Sequence, residues 1–166
     1  MITEALLEKA RKIKLVVTDI DGVWTDAKMY YSADGEMMKA FNTYDGMGTY
    51  LLHKAGIPTA IITGENSAPV IARAEKLKLK DVYIGVKDKL SVFDELLTKY
   101  NLKPDQVAYI GDDINDYSVM QIAGLTASPA STPAFNILKP DVLLDRVGGD
   151  GAFREFADLI LAARDK

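Results

Sequence analysis

The 166-residue chain contains no cysteine, one histidine and one tryptophan. Without cysteine there is no disulfide scaffold, no Cys-ligated zinc, no iron–sulfur cluster and no thiol nucleophile. A lone histidine, His53, speaks against a multi-histidine metal site. No apolar run reaches the roughly 18–20 residues needed to span a bilayer. The stretch Met1–Ala10 is mixed in charge and lacks the apolar centre of a signal peptide, so a cytoplasmic protein without a membrane partner is expected. Lys plus Arg number 20 against 24 Asp plus Glu, a net charge of −4 with no long basic run, which argues against nucleic acid as a partner. No linker, repeat or low-complexity tract interrupts the chain, and a single domain over residues 1–166 is expected. What remains for chemistry is carboxylates, hydroxyls and lysines.

Short apolar, β-branched runs recur at Leu15–Thr18, Ala60–Thr63, Val82–Ile84 and Val107–Ile110, with a weaker fifth at Asp141–Leu144. Such runs read as strands buried on both faces. Helical patterns lie at about Thr3–Ile13, Gly46–Lys54, Ala68–Leu77, Lys89–Tyr100, Asn115–Ala123 and Gly151–Ala163. This alternation predicts an α/β fold, a doubly wound, Rossmann-like parallel sheet. One segment, about 28–41, breaks the pattern. Met29–Tyr31 and Met37–Phe41 flank Asp34-Gly35, which marks a β-hairpin insertion with aromatic and Met side chains on both arms. Two readings of it stand: a hairpin packed on its own domain, or an apolar ribbon covered by another subunit.

Asp19 and Asp21 follow directly on the first buried strand, and Asp112-Asp113 with Asp116 follow another. Ligands gather beyond the carboxyl ends of strands in open α/β sheets, so the two acidic clusters are expected to meet at one edge. Two bare carboxylates 4 Å apart repel by about 4 kcal/mol at an effective dielectric near 20; a cation among them removes that cost. Oxygen donors without nitrogen or sulfur favour Mg²⁺. Asp116 also reads as a helix cap. Thr63-Gly64 ends a strand at the same edge, offering a hydroxyl and main-chain amides. Lys89 opens a helix, where a cation opposes the macrodipole and requires an anionic partner. Together Thr63, the amides of the Gly64 turn, Lys89 and Mg²⁺ form a coherent phosphate site.

The series Asp19-x-Asp21-Gly-Val, Thr63-Gly64, Lys89 and Gly111-Asp112-Asp113-x-x-Asp116 resembles the haloacid dehalogenase superfamily of phosphatases. The 44 residues from Asp19 to Thr63 and the 26 from Thr63 to Lys89 leave no space for a folded cap domain. With Phe41-Asn42-Thr43-x-Asp45-Gly46 and Gly148-Gly149-x-Gly151-x-x-Arg154-Glu155, nearly the whole chain resembles the capless 3-deoxy-octulosonate 8-phosphate phosphatase subfamily. The resemblance implies Asp19 as nucleophile and Asp21 as acid–base group. It also implies Mg²⁺ held by the Asp19 and Asp112 carboxylates and the Asp21 carbonyl, with Asp113 acting through its water shell. Thr63, Gly64 and Lys89 would bind the phosphoryl group, and Asn42 belongs to the implied substrate-binding set. A homotetramer is implied in which the hairpin lies between subunits and a neighbour covers each site.

The subfamily acts on phosphorylated 2-keto-3-deoxy sugar acids of eight carbons or, for the KDN and sialic acid kind, nine. Octulosonate enzymes typically carry Arg after the Thr-Gly pair, where this chain has Glu65. Glu65 with Lys76 resembles the nonulosonate 9-phosphate branch, and that substrate is favoured. Arg73 or Lys76 of a neighbour would then hold the substrate carboxylate; alternatively both belong to a solvated helix face. Trp24 shapes substrate access or packs in its loop, Arg154 reaches the site or caps the last helix, and His53 reads as a surface or packing residue. Two other functions stay open: a non-catalytic oligomerisation module of the kind attached to sugar-acid cytidylyltransferases, and a phosphatase of another sugar or nucleotide phosphate.

Overall fold

The computed structural model describes residues 3–164. In chain order the helices are α1 (Glu4–Arg11), α2 (Thr43–Lys54), α3 (Ala68–Lys76), α4 (Lys89–Tyr100), α5 (Tyr117–Met120), α6 (Phe135–Leu138) and α7 (Ala152–Ala162). The strands are β1 (Leu15–Thr18), β2 (Tyr30–Ser32), β3 (Gly35–Met38), β4 (Thr59–Ile62), β5 (Asp81–Tyr83), β6 (Val107–Ile110), β7 (Leu125–Ser128) and β8 (Val142–Leu143). Six strands form one parallel sheet in the order β5-β4-β1-β6-β7-β8. From β1 the chain winds outward through β4 and β5, then crosses to β6 on the other side. The strand order therefore reverses beside β1, and the crevice beyond the carboxyl ends of β1 and β6 is the switch point.

Alternation along β1 builds the two cores. Val16 faces a cluster with Leu52 of α2, Val70 of α3 and Phe153 and Phe156 of α7. Leu15 and Val17 face Phe93 and Leu96 of α4, Val119 of α5 and Leu138 of α6. Helices thus cover both faces, and all four β1 residues are buried. Just beyond β1, Trp24 is buried, its Nε1 donates to Thr18 Oγ1 at 2.9 Å, and its ring lies 5.0 Å from that of Phe153. Trp24 is therefore a packed anchor of the loop after β1; its burial leaves no surface for gating substrate.

Several elements differ from the sequence expectation. Strand β7 reads Leu-Thr-Ala-Ser, too polar to register as a strand, yet its burial between β6 and β8 supplies what its composition lacks. The expected helix Asn115–Ala123 is divided into a 3-10 turn, Ile114–Asp116, and the short α5. The turn tightens because Asp116 folds back onto the main-chain N–H groups of Asp112 and Asp113, at 2.9 and 3.3 Å. Helix α2 starts three residues before the expected Gly46, at Thr43, because Asn42 caps it by accepting from Tyr44 N at 2.8 Å.

Strands β2 and β3 form the antiparallel hairpin, with Ser32 opposite Gly35. Met29, Tyr30, Tyr31, Met37 and Met38 are all exposed, so the arms are not packed on this chain's own core. The second arm ends earlier than expected, at Met38; Lys39 is turned inward and buried.

Candidate active site

The loops after β1, β4 and β6 and the start of α4 bring the acidic residues and Lys89 to one place. Asp19, Thr63, Lys89, Asp112 and Asp116 are all buried. Lys89 Nζ lies 3.0 Å from Asp19 Oδ1 and 2.7 Å from Asp116 Oδ1, which supplies the anionic partners its place at a helix start requires. Close approach of the loops depends on glycine at two points. Gly22 has φ +82°, and a Cβ there would sit 1.8 Å from Asp112 Oδ2; a Cβ on Gly111 would sit 2.4 Å from Asp116 Cγ.

The carboxylates of Asp19, Asp112 and Asp116 offer oxygens within 4.8 Å of one another, but they are not equivalent. Asp116 Oδ1 accepts from Tyr109 Oη at 2.6 Å and from Lys89, and its Oδ2 accepts from two main-chain amides. Both of its oxygens are occupied, so Asp116 positions Lys89 and the loop after β6. Asp19 Oδ1 is buried with its ion-pair contact to Lys89 alone, and Thr63 Oγ1 is buried without a partner. These two oxygens are available to a ligand. A cavity of about 250 Å³ joins Asp19, Asp21, Thr63, Gly64, Glu65, Asp112 and Asp113.

Burial and neighbouring negative charge explain the titration of the cluster. Burial, then repulsion by Asp116, raises the Asp19 carboxyl to about 7 against the pull of Lys89. Burial and the charges of Asp19, Asp116 and Asp113 raise Asp112 to about 8. Burial opposes the Lys89 ammonium, but Asp19 and Asp116 outweigh it and hold its pKa above the ordinary value. Burial, then the Asp116 charge, pushes the Tyr109 phenol well up, so Tyr109 serves as a hydrogen-bond donor.

The remaining expected residues separate clearly. Asp21 borders the cavity, but its carboxylate is turned to Lys39 Nζ at 2.6 Å and is not among the converging oxygens. Glu65 lines the cavity and is exposed. Arg73 and Lys76 do not line it. Arg73 donates to the Asn42 carbonyl at 3.3 Å and lies 5.9 Å over the Phe41 ring, whereas Lys76 borders a separate cavity with His53 near the end of α2. Asn42 is occupied as the α2 cap and by a 3.3 Å bond to the Gly149 carbonyl. Arg154 pairs with Asp158 at 2.8 Å and its main-chain N–H is bound by Asp45, the capping arrangement. Sequence reading missed Lys39, Glu36 and Ser67; its only available signal was a lysine inside the apolar arm Met37–Phe41.

A family model of the haloacid dehalogenase-like hydrolases matches residues 36–124. The chain is 39% identical over 165 residues to the 3-deoxy-D-manno-octulosonate 8-phosphate phosphatase KdsC of Yersinia pestis, covering 99% of this chain and 88% of that protein. The chain belongs to the haloacid dehalogenase-like hydrolases. It is an enzyme of the phosphomonoester-hydrolysing kind. The crystal structure of the phosphatase from Yersinia pestis matches with a TM-score of 0.95 at 39% identity, covering 99% of this chain and 89% of that one. The phosphatase from Moraxella catarrhalis, in complex with a magnesium ion, a phosphate ion and a KDO molecule, matches with a TM-score of 0.93 at 36% identity, over 99% and 94% of the two chains.

The residues fit a divalent cation. Three buried carboxylates and one ammonium carry a net charge of −2 when all are ionised, and the donors are oxygens alone. The raised pKa values give a test. In the metal-free protein Asp19 and Asp112 retain protons that the unfolded chain releases. Their contribution to stability is full below about pH 4 and is lost as pH rises through about 7 to 8. Metal binding requires the ionised carboxylates and expels those protons. Melting curves with a chelator should therefore show Tm falling from about pH 4 and levelling off above about pH 8, and the Tm increment from Mg²⁺ should grow over the same interval. An increment independent of pH would separate the cation from these two carboxylates.

Proposed function

We propose that this chain hydrolyses the phosphomonoester of a 3-deoxy-2-keto sugar acid, with 3-deoxy-D-manno-octulosonate 8-phosphate as the substrate. The observation that carries the reading is the meeting of Asp19 and the unpartnered Thr63 hydroxyl at one cavity beyond the switch point, with Lys89 Nζ 3.0 Å from Asp19 Oδ1. The relatives support the sugar-acid class: the Yersinia pestis protein is named for this phosphate and the Moraxella catarrhalis structure holds KDO with phosphate and magnesium.

The proposed chemistry gives these groups the roles that the family resemblance implies. An Asp19 oxygen attacks phosphorus, the bond from phosphorus to the sugar oxygen breaks, and an aspartyl-phosphate forms. Asp21 gives its proton to the departing sugar oxygen, then takes one from the water that attacks the aspartyl-phosphate. Inorganic phosphate leaves and the Asp19 carboxylate is restored. Thr63, the amide of Gly64 and Lys89 bind the transferring phosphoryl oxygens and offset their charge. The Asp19 and Asp112 carboxylates and the Asp21 carbonyl, with Asp113 beside them, would hold Mg²⁺, which would supply Lewis-acid charge stabilisation.

A second substrate reading rests on Glu65. It borders the cavity beside the Thr63-Gly64 turn, where a carboxylate suits the hydroxyls of a longer polyol tail and favours a nonulosonate 9-phosphate. The assembly belongs to the same proposal. Exposed Met29, Tyr30, Tyr31, Met37 and Met38 on the hairpin, with Tyr44, Met47 and Tyr50 on α2, are an apolar surface suited to a second copy of this chain. In a homotetramer a neighbour would cover the open site, and the exposed Lys76 would be free to reach a neighbouring substrate.

Three measurements test these statements. Asp19→Asn should lower kcat by at least about 10³-fold with the far-UV circular dichroism unchanged; retained turnover would remove Asp19 as the nucleophile. Phosphate release should favour octulosonate 8-phosphate over unrelated sugar phosphates, and Glu65→Arg should move the eight- to nine-carbon preference about 10-fold toward eight carbons, or ~1.4 kcal/mol. An unchanged ratio would deny Glu65 a selective role, and equal, low kcat/KM across all esters would overturn the sugar-acid class. Light scattering should give four times the 18.2 kDa chain mass; a monomer would overturn the shared site.

A further inference from the structure

The hairpin enters the site through a buried chain of polar contacts. Lys39 Nζ contacts Asp21 Oδ1 at 2.6 Å and Glu36 Oε1 at 2.7 Å, and no part of the Lys39 side chain is exposed. Glu36 Oε2 in turn accepts from Ser67 Oγ at 2.5 Å. Ser67 occupies the N-cap position of α3 but makes no capping hydrogen bond. A serine at that position ordinarily caps its helix through its hydroxyl; here the hydroxyl is diverted from the helix to the hairpin. Both partners of Lys39 are carboxylates, and a buried ammonium is tolerated only with such partners.

Resting on the role of Asp21 stated above, we propose that Lys39 is the positioning residue for Asp21, through which the hairpin sets the geometry of proton transfer. Lys39 engages Oδ1 alone, which leaves Oδ2 of Asp21 for the leaving oxygen and the attacking water. Lys39 itself does not line the cavity. It acts from behind the carboxylate, and Glu36 and Ser67 hold it there. The hairpin carries Met37 and Met38 outward and Lys39 inward, so a displacement of the ribbon moves the acid–base group directly.

A comparison of two leaving groups isolates this role. Through kcat/KM, which reports the steps up to release of the alcohol, an alkyl ester such as octulosonate 8-phosphate requires protonation of a basic leaving oxygen. p-Nitrophenyl phosphate releases a weakly basic phenolate and needs little acid assistance. Asp21→Asn serves as the reference and should cost the alkyl ester at least about 100-fold while changing the aryl ester by less than about 5-fold. Lys39→Met should show the same selectivity, with a loss of about 10- to 100-fold on the alkyl ester. Glu36→Gln, which leaves Lys39 in place but loosens its hold, should give a smaller loss of the same pattern. Should Lys39→Met fail to fold, Glu36→Gln decides alone. Equal losses on both esters, or no loss for either variant, would overturn the positioning role. If Asp21→Asn itself costs both esters equally, the reading of Asp21 fails first; if only the Lys39 and Glu36 variants lack selectivity, the inference alone fails.

Discussion

The buried ammonium of Lys89 is the interaction on which the site depends. Three carboxylates this close would protonate or separate on their own, and Lys89 offsets one of those charges from within 3.0 Å of both Asp19 and Asp116. The rest of the local structure secures that contact. Asp116 is fixed by Tyr109 and two main-chain amides, Asp88 caps the helix that carries Lys89, and Gly22 and Gly111 let the acidic loops close on one another. The remaining charge of −2 is what a divalent cation neutralises, and the raised pKa values of Asp19 and Asp112 are the free energy held in the cluster without one.

The sheet topology explains why so few residues suffice. Reversal of strand order beside β1 opens a crevice between neighbouring loops, and the strands feeding it are buried on both faces and rigid. Precision at the site therefore comes from the core, through contacts such as Trp24 on Phe153 behind the loop after β1. Openness comes from the same economy. Only the hairpin and α2 lie between β1 and β4, so no part of the described chain forms a folded lid, and the apolar side chains of the hairpin stay exposed.

Capping and catalysis compete for the same side-chain types here, and that competition limited what the residues disclosed one by one. Asp116 read equally as a cap and as a site residue, and it is both: it bonds the turn amides and holds Lys89. Asn42 and Arg154, expected near substrate or poised between two roles, are occupied by helix ends. Strand β7 carries no strand signal in its composition, because burial makes it a strand. These outcomes share a cause, since a polar side chain's partner is set by whichever distant backbone the fold brings alongside.

The amino-acid sequence by itself determined the alternation of buried strands and helices, and the acidic pairs at two strand ends. It also placed Thr63 and Lys89 at the same edge and left too few residues for a cap. All of these follow from local periodicity and from spacing along the chain. Only the tertiary structure decided that the Asp116 oxygens bond Lys89, Tyr109 and the turn amides, that Arg73 and Lys76 do not line the cavity of Asp19, and that Lys39 stands behind Asp21. Side chains on loops and hairpins take their direction from contacts between segments far apart in sequence, and no local pattern encodes those contacts.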